Sequence, residues 1–488
     1  PASVLVKEEN VGTPSILPFD APNRQQIAQG HPPEWRSPRP KDRYDLVVLG
    51  GGPAGLTAAI TAAKAGHAVA MVERNLTGGT CVNFGCTPTK SLLRAARAVY
   101  QARDGQKFGY ALQGDPRVDF AAVMTRVREM RAFSGSFDAV SVAAGAGIDV
   151  FLGDGRFVGP DAVEVDGQRL RFRKALIATG SGPAVPDFPG LAAAAYLTNE
   201  TVFELTELPR RVVCIGAGIV NCELAQALRR LGSEVDLVGS GDRLLPSEAP
   251  AASDLLAGRL AAEGVRLRLG QRVTSADSGQ RRALLGDGTE LPYDALLLAT
   301  GRRVRVDGLG LESAGVKFRP SGVETDDHLR TANPAVYAAG DVAQPEKFTH
   351  AAIATAKLAV ANALDGAGKR VSELVIPRCT YTDPEVAQVG VTPQEAKRRG
   401  MAIETHRMEL SKVERAVIDG SADGFAALYT HHGRLVGATY VAAHAGESIP
   451  LLTLAVAQRM TPGELAAVIH CYPTQVEAIQ RAAAQPAG

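Results

Sequence analysis

Short apolar runs alternate with alanine-rich helical stretches through most of the chain, an order typical of α/β proteins. The first apolar run predicts a strand at residues 45–49, and the alanine-rich stretch after it predicts a helix at residues 56–65. Gly66 ends that helix, and a second strand is predicted at residues 67–72. Strand, helix and strand in this order form a parallel βαβ unit.

The same pattern occurs a second time. A strand is predicted at residues 211–215, a helix at 223–231 and a further strand at 235–238. Each unit is followed later by an apolar strand that runs into Thr-Gly, at residues 179–180 and 300–301. The duplication predicts two nucleotide-binding units in one chain.

The two ends of the chain depart from this pattern. Residues 1–43 are rich in proline and polar groups, which predicts an irregular surface arm with Trp35 as a candidate anchor, or alternatively a disordered tail. After Pro377, short β-type runs and helical stretches predict an α+β domain. The predicted fold class is α/β, with two Rossmann-like dinucleotide-binding domains and an α+β C-terminal domain. Their expected bounds are 44–182 with 295–370, 183–294, and 371–488.

The composition of the chain argues against a nucleic-acid-binding, membrane or disulfide-rich secreted protein. The chain has 488 residues with a net charge of +1, so no bulk attraction to nucleic acid or to a membrane surface is expected. No apolar run reaches the roughly 18 residues that a membrane span needs. The first twenty residues contain Lys7, Glu8 and Glu9 and do not resemble a signal peptide. Six cysteines are too few for a disulfide scaffold, so a cytoplasmic location is expected.

Two cysteines separated by four residues carry the most informative signal. Cys81 and Cys86 lie between glycines, and a helical period begins at Pro88. Cys86 is therefore expected near a helix N-terminus, where the helix dipole lowers the pKa of a thiol. Two buried, inert cysteines are the alternative.

The first βαβ unit carries a complete dinucleotide fingerprint. Gly50 is expected to form the tight turn, Gly52 to let the backbone approach a pyrophosphate, and Gly55 to let helix and strand pack closely. Glu73 ends the second strand, where a carboxylate accepts hydrogen bonds from ribose hydroxyls.

The second unit lacks two parts of that fingerprint. Gly216 and Gly218 are present, but Asn221 replaces the third glycine. The second strand ends in Gly239-Ser240-Gly241 instead of an acid, and Arg243 follows. Without a carboxylate to repel a 2′-phosphate, NADPH is favoured and NADH is the alternative. A solvated surface role is the alternative for Arg243.

A third signal is an apolar strand that ends in Gly340-Asp341. This places the Asp341 carboxylate at the ligand edge of the sheet, where it can accept from ribityl hydroxyls of a flavin. A helix N-cap is the alternative.

In their order, these motifs resemble class I pyridine nucleotide–disulfide oxidoreductases, the family of dihydrolipoamide dehydrogenase, glutathione reductase and mercuric reductase. The resemblance covers residues 44 to 485. It implies FAD in the first unit, a nicotinamide dinucleotide in the second and a redox disulfide between Cys81 and Cys86. Cys86 would be the flavin-side thiol that forms a charge-transfer complex, and Cys81 the interchange thiol that meets substrate. Lys90 and Glu223 match the family's ion pair near the flavin.

The cofactor-binding residues expected from the fingerprints and the resemblance are Gly50, Gly52, Gly55, Glu73, Gly79, Thr80, Thr179, Gly180, Gly216, Gly218, Ser240, Arg243, Gly301 and Asp341. No residue set is expected to hold a resident metal. The resemblance also implies that the α+β C-terminal domain is a dimerisation domain, in a homodimer whose active site is shared between subunits.

The C-terminal segment separates the branches of the family. Disulfide-reducing members usually carry His-Pro-Thr there, and that histidine is the acid–base group for the interchange thiol. Here Tyr472 takes the histidine position, while Glu477 is kept. A phenol with a pKa near 10 accepts protons poorly at neutral pH. The tyrosine is similar to that of mercuric reductases, but their terminal vicinal cysteine pair is absent from this sequence. Cys471 and His470 are further candidates, with a structural cysteine as the alternative.

The predicted function is an FAD-dependent NAD(P)H oxidoreductase, similar to mercuric reductase, whose dithiol reduces a soft metal ion or a small disulfide. One alternative is a dihydrolipoamide-type reductase with an altered acid–base residue. Another is a flavin-bearing redox sensor with little turnover.

Overall fold

A computed structural model describes residues 14–487. Lys7, Glu8 and Glu9, which were the evidence against a signal peptide, lie outside that range. The helices are α1 (Ala21–Gly30), α2 (Pro53–Lys64), α3 (Gly79–Phe84), α4 (Cys86–Asp104), α5 (Phe120–Gly135), α6 (Val140–Gly145), α7 (Ile219–Leu231), α8 (Pro250–Ala262), α9 (Thr349–Leu364), α10 (Pro393–Arg398), α11 (Glu414–Ile418), α12 (Ala445–Ala457), α13 (Pro462–Ala466) and α14 (Glu477–Ala484).

The strands form six sheets. They are β1 (Tyr44–Leu49), β2 (Val69–Glu73), β3 (Ile148–Leu152), β4 (Arg156–Gly159), β5 (Ala162–Val165), β6 (Gln168–Ile177), β7 (Ser181–Pro183), β8 (Tyr196–Leu197), β9 (Arg211–Ile215), β10 (Glu234–Gly239), β11 (Arg266–Leu269), β12 (Val273–Asp277), β13 (Arg282–Leu285), β14 (Glu290–Pro292), β15 (Ala295–Leu298), β16 (Arg302–Val304), β17 (Phe318–Arg319), β18 (Gly322–Val323), β19 (Val336–Ala338), β20 (Arg378–Thr380), β21 (Glu385–Gly390), β22 (Glu404–Glu409), β23 (Phe425–His431) and β24 (Arg434–Ala442).

The first nucleotide unit is built on a seven-stranded sheet in the order β3-β2-β1-β6-β5-β4, with β19 also paired to β6. Its strands β3, β2, β1, β6 and β19 are parallel. Along β1, Leu46 and Val48 join one core cluster, and Val47 and Leu49 join another. Burial on both faces explains why this strand is continuously apolar.

The second unit repeats this construction. Its five-stranded sheet runs β11-β10-β9-β15-β8, and all four pairings are parallel. Helix α7 packs on it through a face that includes Leu224 and Leu228, within the largest core cluster. The predicted duplication is confirmed at the level of strand order and crossover helix.

The C-terminal part is an antiparallel sheet in the order β20-β21-β24-β23-β22, covered by α12 and α14. The α+β prediction is therefore confirmed. Several helices begin earlier than predicted: α7 begins at Ile219 and α4 at Cys86, ahead of the apolar periods that mark them.

The prediction of an irregular arm is wrong for residues 21–30, which form α1. Asp20 caps this helix by accepting from the backbone N–H of Asn23, and its buried positions include polar Asn23 and Gln26. An apolar period is therefore absent, and the helix escaped prediction. Trp35 does anchor the arm, since its indole N–H donates to the carbonyl oxygen of Val150 at 3.1 Å.

Within residues 14–487, no helix combines the length and the apolar character that a bilayer crossing requires.

Candidate active site

One large cavity of about 1850 Å³ runs between the two nucleotide units. It exceeds the roughly 300–1000 Å³ of a typical small-molecule site, as two dinucleotides would require. All but three of the expected site residues line it: Gly50, Gly52, Glu73, Gly79, Thr80, Cys81, Cys86, Lys90, Thr179, Gly180, Gly216, Gly218, Glu223, Ser240, Arg243, Gly301 and Asp341. Gly55, Tyr472 and Glu477 do not.

The first fingerprint forms a cradle that only glycine permits. Gly50 has φ +106°, and a Cβ there would lie 2.4 Å from the carbonyl oxygen of Ala178. A Cβ on Gly55 would lie 1.7 Å from the carbonyl oxygen of Gly50, so Gly55 serves helix–strand packing away from the cavity. Glu73 accepts from the N–H of Gly51 at 2.5 Å and stands at the cavity edge. These residues fit a dinucleotide.

The second fingerprint uses an asparagine where the first has its third glycine. The buried Asn221 amide donates to the carbonyl oxygens of Ile215 and Gly216, both at 2.8 Å, and so ties helix α7 to the turn. Gly239 ends β10 where Glu73 ends β2. A Cβ on Gly239 would lie 2.7 Å from the Cβ of Ala217, so this unit has no room for an acid there.

The two cysteines lie on consecutive helices. Cys81 is in α3 and Cys86 is the first residue of α4, with Gly85 between the helices. A hydrogen bond from Cys81, a second one from Thr349 and the positive charge of Lys90 together lower the pKa of Cys86 to about 6. Burial acts in the opposite direction and is outweighed. The same hydrogen bond to Cys86, together with burial, raises the pKa of Cys81. The pair therefore holds one thiolate and one thiol at neutral pH.

Lys90 and Glu223 form an ion pair with a nitrogen–oxygen distance of 2.9 Å. The Glu223 side chain is buried and also accepts from the N–H of Tyr381 at 2.8 Å. Burial alone would lower the pKa of Lys90, but the attraction of Glu223 raises it overall. The Lys90 ammonium lies 4.5 Å from the centre of the Tyr381 ring, so a fixed cation faces the cavity.

At the opposite wall, Asp341 lies in a short 3₁₀ turn rather than at a helix N-cap. It accepts from the hydroxyl of Ser181, and the guanidinium of Arg302 lies 3.4 Å away. Thr349, Tyr381 and Arg302 were not expected from the sequence. Thr349 and Tyr381 belong to no recognised motif, and Arg302, although it follows the expected Gly301, meets Asp341 only in the folded chain.

The C-terminal segment lies outside the cavity of its own chain. Tyr472 is 67% exposed and donates to a carboxylate oxygen of Glu414, which raises its pKa. Glu477 pairs with Arg481 at 2.6 Å. The Nδ1 atom of His470 lies 2.8 Å from the carbonyl oxygen of Val468. Within residues 14–487, Glu477 is therefore paired with an arginine and not with a histidine.

Cys471 is exposed beside Tyr472, whereas Cys214 and Cys222 are buried. Among the residues that the structure describes, no group of three or more histidine, cysteine or carboxylate side chains could hold a metal ion.

Comparison with known families identifies both halves of the chain. Residues 44–363 match the pyridine nucleotide-disulphide oxidoreductase model, and residues 376–483 match the dimerisation domain of the same name. The chain is 37% identical to a mercuric reductase of Streptomyces lividans over 457 residues, 90% of this chain and 95% of that protein. It is 33% identical to a dihydrolipoyl dehydrogenase of Chlamydia muridarum over 452 residues, 89% and 95% of the two chains.

Among solved structures, the HOCl-induced flavoprotein disulfide reductase RclA from Escherichia coli matches with a TM-score of 0.80 and 26% identity. The match covers 89% of this chain and 98% of that one. The same protein has been solved as a Cu(II) complex.

The substitution Thr349→Val tests the electrostatics of Cys86. It removes the hydroxyl that lies 3.5 Å from the Cys86 sulfur. We expect the pKa of Cys86 to rise by about half a unit to one unit, because the thiolate loses a hydrogen bond. The thiolate then disappears at a higher pH on acidification. The measurement is the pH dependence of iodoacetamide alkylation of the reduced protein, with the label assigned to Cys86 by peptide mass spectrometry.

Ser91→Ala is the matched control. The Ser91 hydroxyl donates within α4 to the carbonyl oxygen of Thr87 at 2.8 Å, so its loss leaves the Cys86 titration unchanged. An unchanged titration in Thr349→Val would contradict the assignment.

Proposed function

Because the chain belongs to the pyridine nucleotide-disulphide oxidoreductase family, whose cofactors are FAD and NAD(P)H, we propose that it is a reductase of soft metal ions that works through Cys81 and Cys86. The same family includes its mercuric reductase and dihydrolipoyl dehydrogenase relatives. The choice of substrate therefore depends on this chain's own residues.

In this proposal the cysteine pair receives electrons from the flavin and passes them to the substrate. Bound FAD supplies the transfer of two electrons from the reduced nicotinamide to the Cys81–Cys86 disulfide, which opens to a dithiol. Cys86 holds the resulting negative charge, since Thr349 and Lys90 stabilise its thiolate. Cys81, whose pKa is raised, holds the single proton of the reduced pair until substrate arrives.

A soft divalent ion needs no protein base to react with such a pair. Thiolates bind soft metals strongly, and binding itself displaces the proton from Cys81. Two electrons then pass from the two sulfur atoms to the ion, and the sulfur–sulfur bond forms again. For Hg(II) the products are the disulfide and metallic mercury.

The presence of Tyr472 in place of a histidine is the observation that favours a metal ion over an organic disulfide as substrate. Thiol–disulfide exchange with an organic disulfide needs a group that moves a proton at the interchange thiol. Tyr472 holds the place of the family's histidine, and its contact with Glu414 raises a phenol pKa that is already too high for a base. A Cu(II) complex of the related RclA supports metal binding as a property within this fold.

The shared active site is part of the proposal. The matched dimerisation domain supports a homodimer, and the C-terminal segment exposes Ile469 and Tyr472. Exposed side chains of this size favour burial against a second copy. In the dimer, this segment would close the cavity of the other subunit beside Cys81.

The substrate test compares NADPH oxidation in the presence of thiol-buffered Hg(II), oxidised lipoamide and glutathione disulfide. We expect the rate with Hg(II) to exceed the rate with either disulfide by at least about tenfold. Reduction of a disulfide needs a proton acceptor beside Cys81, and Tyr472 does not provide one. Faster turnover of lipoamide would instead favour a dihydrolipoamide-type reductase, and three inert substrates would favour a redox sensor.

Tyr472→His provides the matched variant, with Tyr472→Phe as its control. The histidine restores an acid–base group next to Glu477, so the disulfide rates are expected to rise while Tyr472→Phe leaves them low. Equal disulfide rates in all three proteins would remove Tyr472 from the argument.

The structure also favours NADPH as the reductant. Ala217 occupies the space that an acid at position 239 would need, whereas Gly51 leaves that space open for Glu73 in the first unit. Arg243 lines the same part of the cavity, and its partner Asp242 is 86% exposed to solvent. A 2′-phosphate would meet a cation there, and β10 ends at Gly239 rather than at a carboxylate that would repel it.

The double substitution Ala217→Gly/Gly239→Glu tests the nucleotide preference. It makes room for an acid and supplies one, so the ratio of kcat/KM for NADPH over NADH is expected to fall by at least about tenfold. Gly239→Glu alone is the control, since the Ala217 side chain then obstructs the acid and both nucleotides lose activity. A wild-type preference for NADH, or an unchanged ratio in the double variant, would contradict the proposal.

A further inference from the structure

We infer that residues 14–43, which we call the N-terminal arm, position the redox cysteines, and that Gln26 does so through Asn83. The arm precedes the matched family range, which begins at residue 44. The inference rests on the proposed redox role of Cys81 and Cys86. Gln26 is thus a positioning residue of the reaction.

The arm first fixes the chain that leads into the cysteines. The N–H of Thr77 donates to the carbonyl oxygen of Gly30 at 3.0 Å. The Nδ1 atom of His31 lies 2.7 Å from the carbonyl oxygen of Asn75. Leu76 packs in a small hydrophobic cluster with two residues of the arm, Ile16 and Ile27. The stretch between β2 and α3 is therefore fastened to the arm.

Gln26 extends this attachment into the segment between the two cysteines. Its side-chain N–H donates to the Oδ1 atom of Asn83 at 2.6 Å, and both residues are fully buried. Asn83 in turn donates to the carbonyl oxygens of Thr77 and Gly79, at 3.0 and 2.9 Å. A single asparagine thus joins the arm to the residues on either side of Gly78, where the chain enters α3, the helix that carries Cys81.

A second element supports the same residue. Arg131, on α5, donates to the backbone carbonyl oxygen of Asn83 at 3.1 Å and to the side chain of Asn23 in the arm. Gly135 of α5 leaves space for the Gln26 amide, since a Cβ there would lie 2.1 Å from its Oε1 atom. The side chain and the backbone of Asn83 are therefore held from two directions.

Stability alone does not explain a glutamine at this position. Its Oε1 atom is buried and has no hydrogen-bond partner among the described residues. An unpaired buried carbonyl is destabilising, so the favourable contribution of this side chain comes from its N–H, which pairs the buried Oδ1 atom of Asn83. What the glutamine adds is a donor aimed at Asn83, two residues after Cys81 and three before Cys86. The hydrogen bond between the two cysteines depends on the placement of this segment.

Gln26→Met tests the inference, because it keeps the side-chain volume and removes the donor. In the FAD-loaded full-length protein, we expect the Cys86 thiolate to be less stabilised, and its alkylation at pH 5 to slow about fivefold. The dithiol–disulfide equilibrium, measured against glutathione buffers by trapping and mass spectrometry, should shift about fivefold toward the disulfide for the same reason. In an Asn83→Ala background, Gln26→Met should add nothing further.

Gln25→Met is the matched control, since Gln25 is the exposed neighbour on the same helix. It should change neither quantity. A Gln26→Met protein that loses thermal stability but keeps both cysteine readouts would overturn the inference and leave Gln26 a packing residue. If the wild-type cysteines show no dithiol–disulfide equilibrium, the proposed function itself fails, and the inference fails with it.

Discussion

The proposed active site depends on holding a thiolate at the start of a helix, at the wall of a large cavity. Cys86 begins α4, and Cys81, Thr349 and Lys90 all favour its charged form. A thiolate is both the nucleophile of disulfide chemistry and the preferred ligand of soft metals. The helix that provides this N-terminus also carries Lys90, so the cation and the sulfur keep a fixed spacing. Glu223, from the second nucleotide unit, then orients that cation across the cavity.

The two nucleotide units show how one construction serves two ligands. Each places a glycine turn and a helix N-terminus at the same edge of a parallel sheet, where the positive end of the helix dipole meets phosphate. They differ where their second strands end. In the first unit Gly51 leaves room for Glu73, whereas in the second Ala217 excludes any side chain at Gly239. In the proposed nucleotide sites this local exchange would change the group that meets the ribose, while the fold is the same in both units.

Strands, helices and turns that have a local sequence pattern could be predicted. Contacts between residues far apart in the chain could not. The βαβ units follow from apolar runs and from glycines such as Gly50, whose conformation and contacts admit no side chain. Helix α1 escaped because its buried face is polar, with Asn23 and Gln26 in place of an apolar period. Thr349 was missed because 263 residues separate it from Cys86, and a hydroxyl has no sequence signature of its own.

We propose that Cys81 and Cys86 form a disulfide that accepts electrons from the reduced nicotinamide through the flavin. The most direct measurement is an anaerobic titration of the FAD-loaded protein with NADPH, counting the electrons taken up per subunit and comparing Cys86→Ser. The claim predicts that the wild type takes up about twice as many electrons as the variant, because only the wild type has a disulfide to reduce. Equal uptake by the two proteins would contradict it.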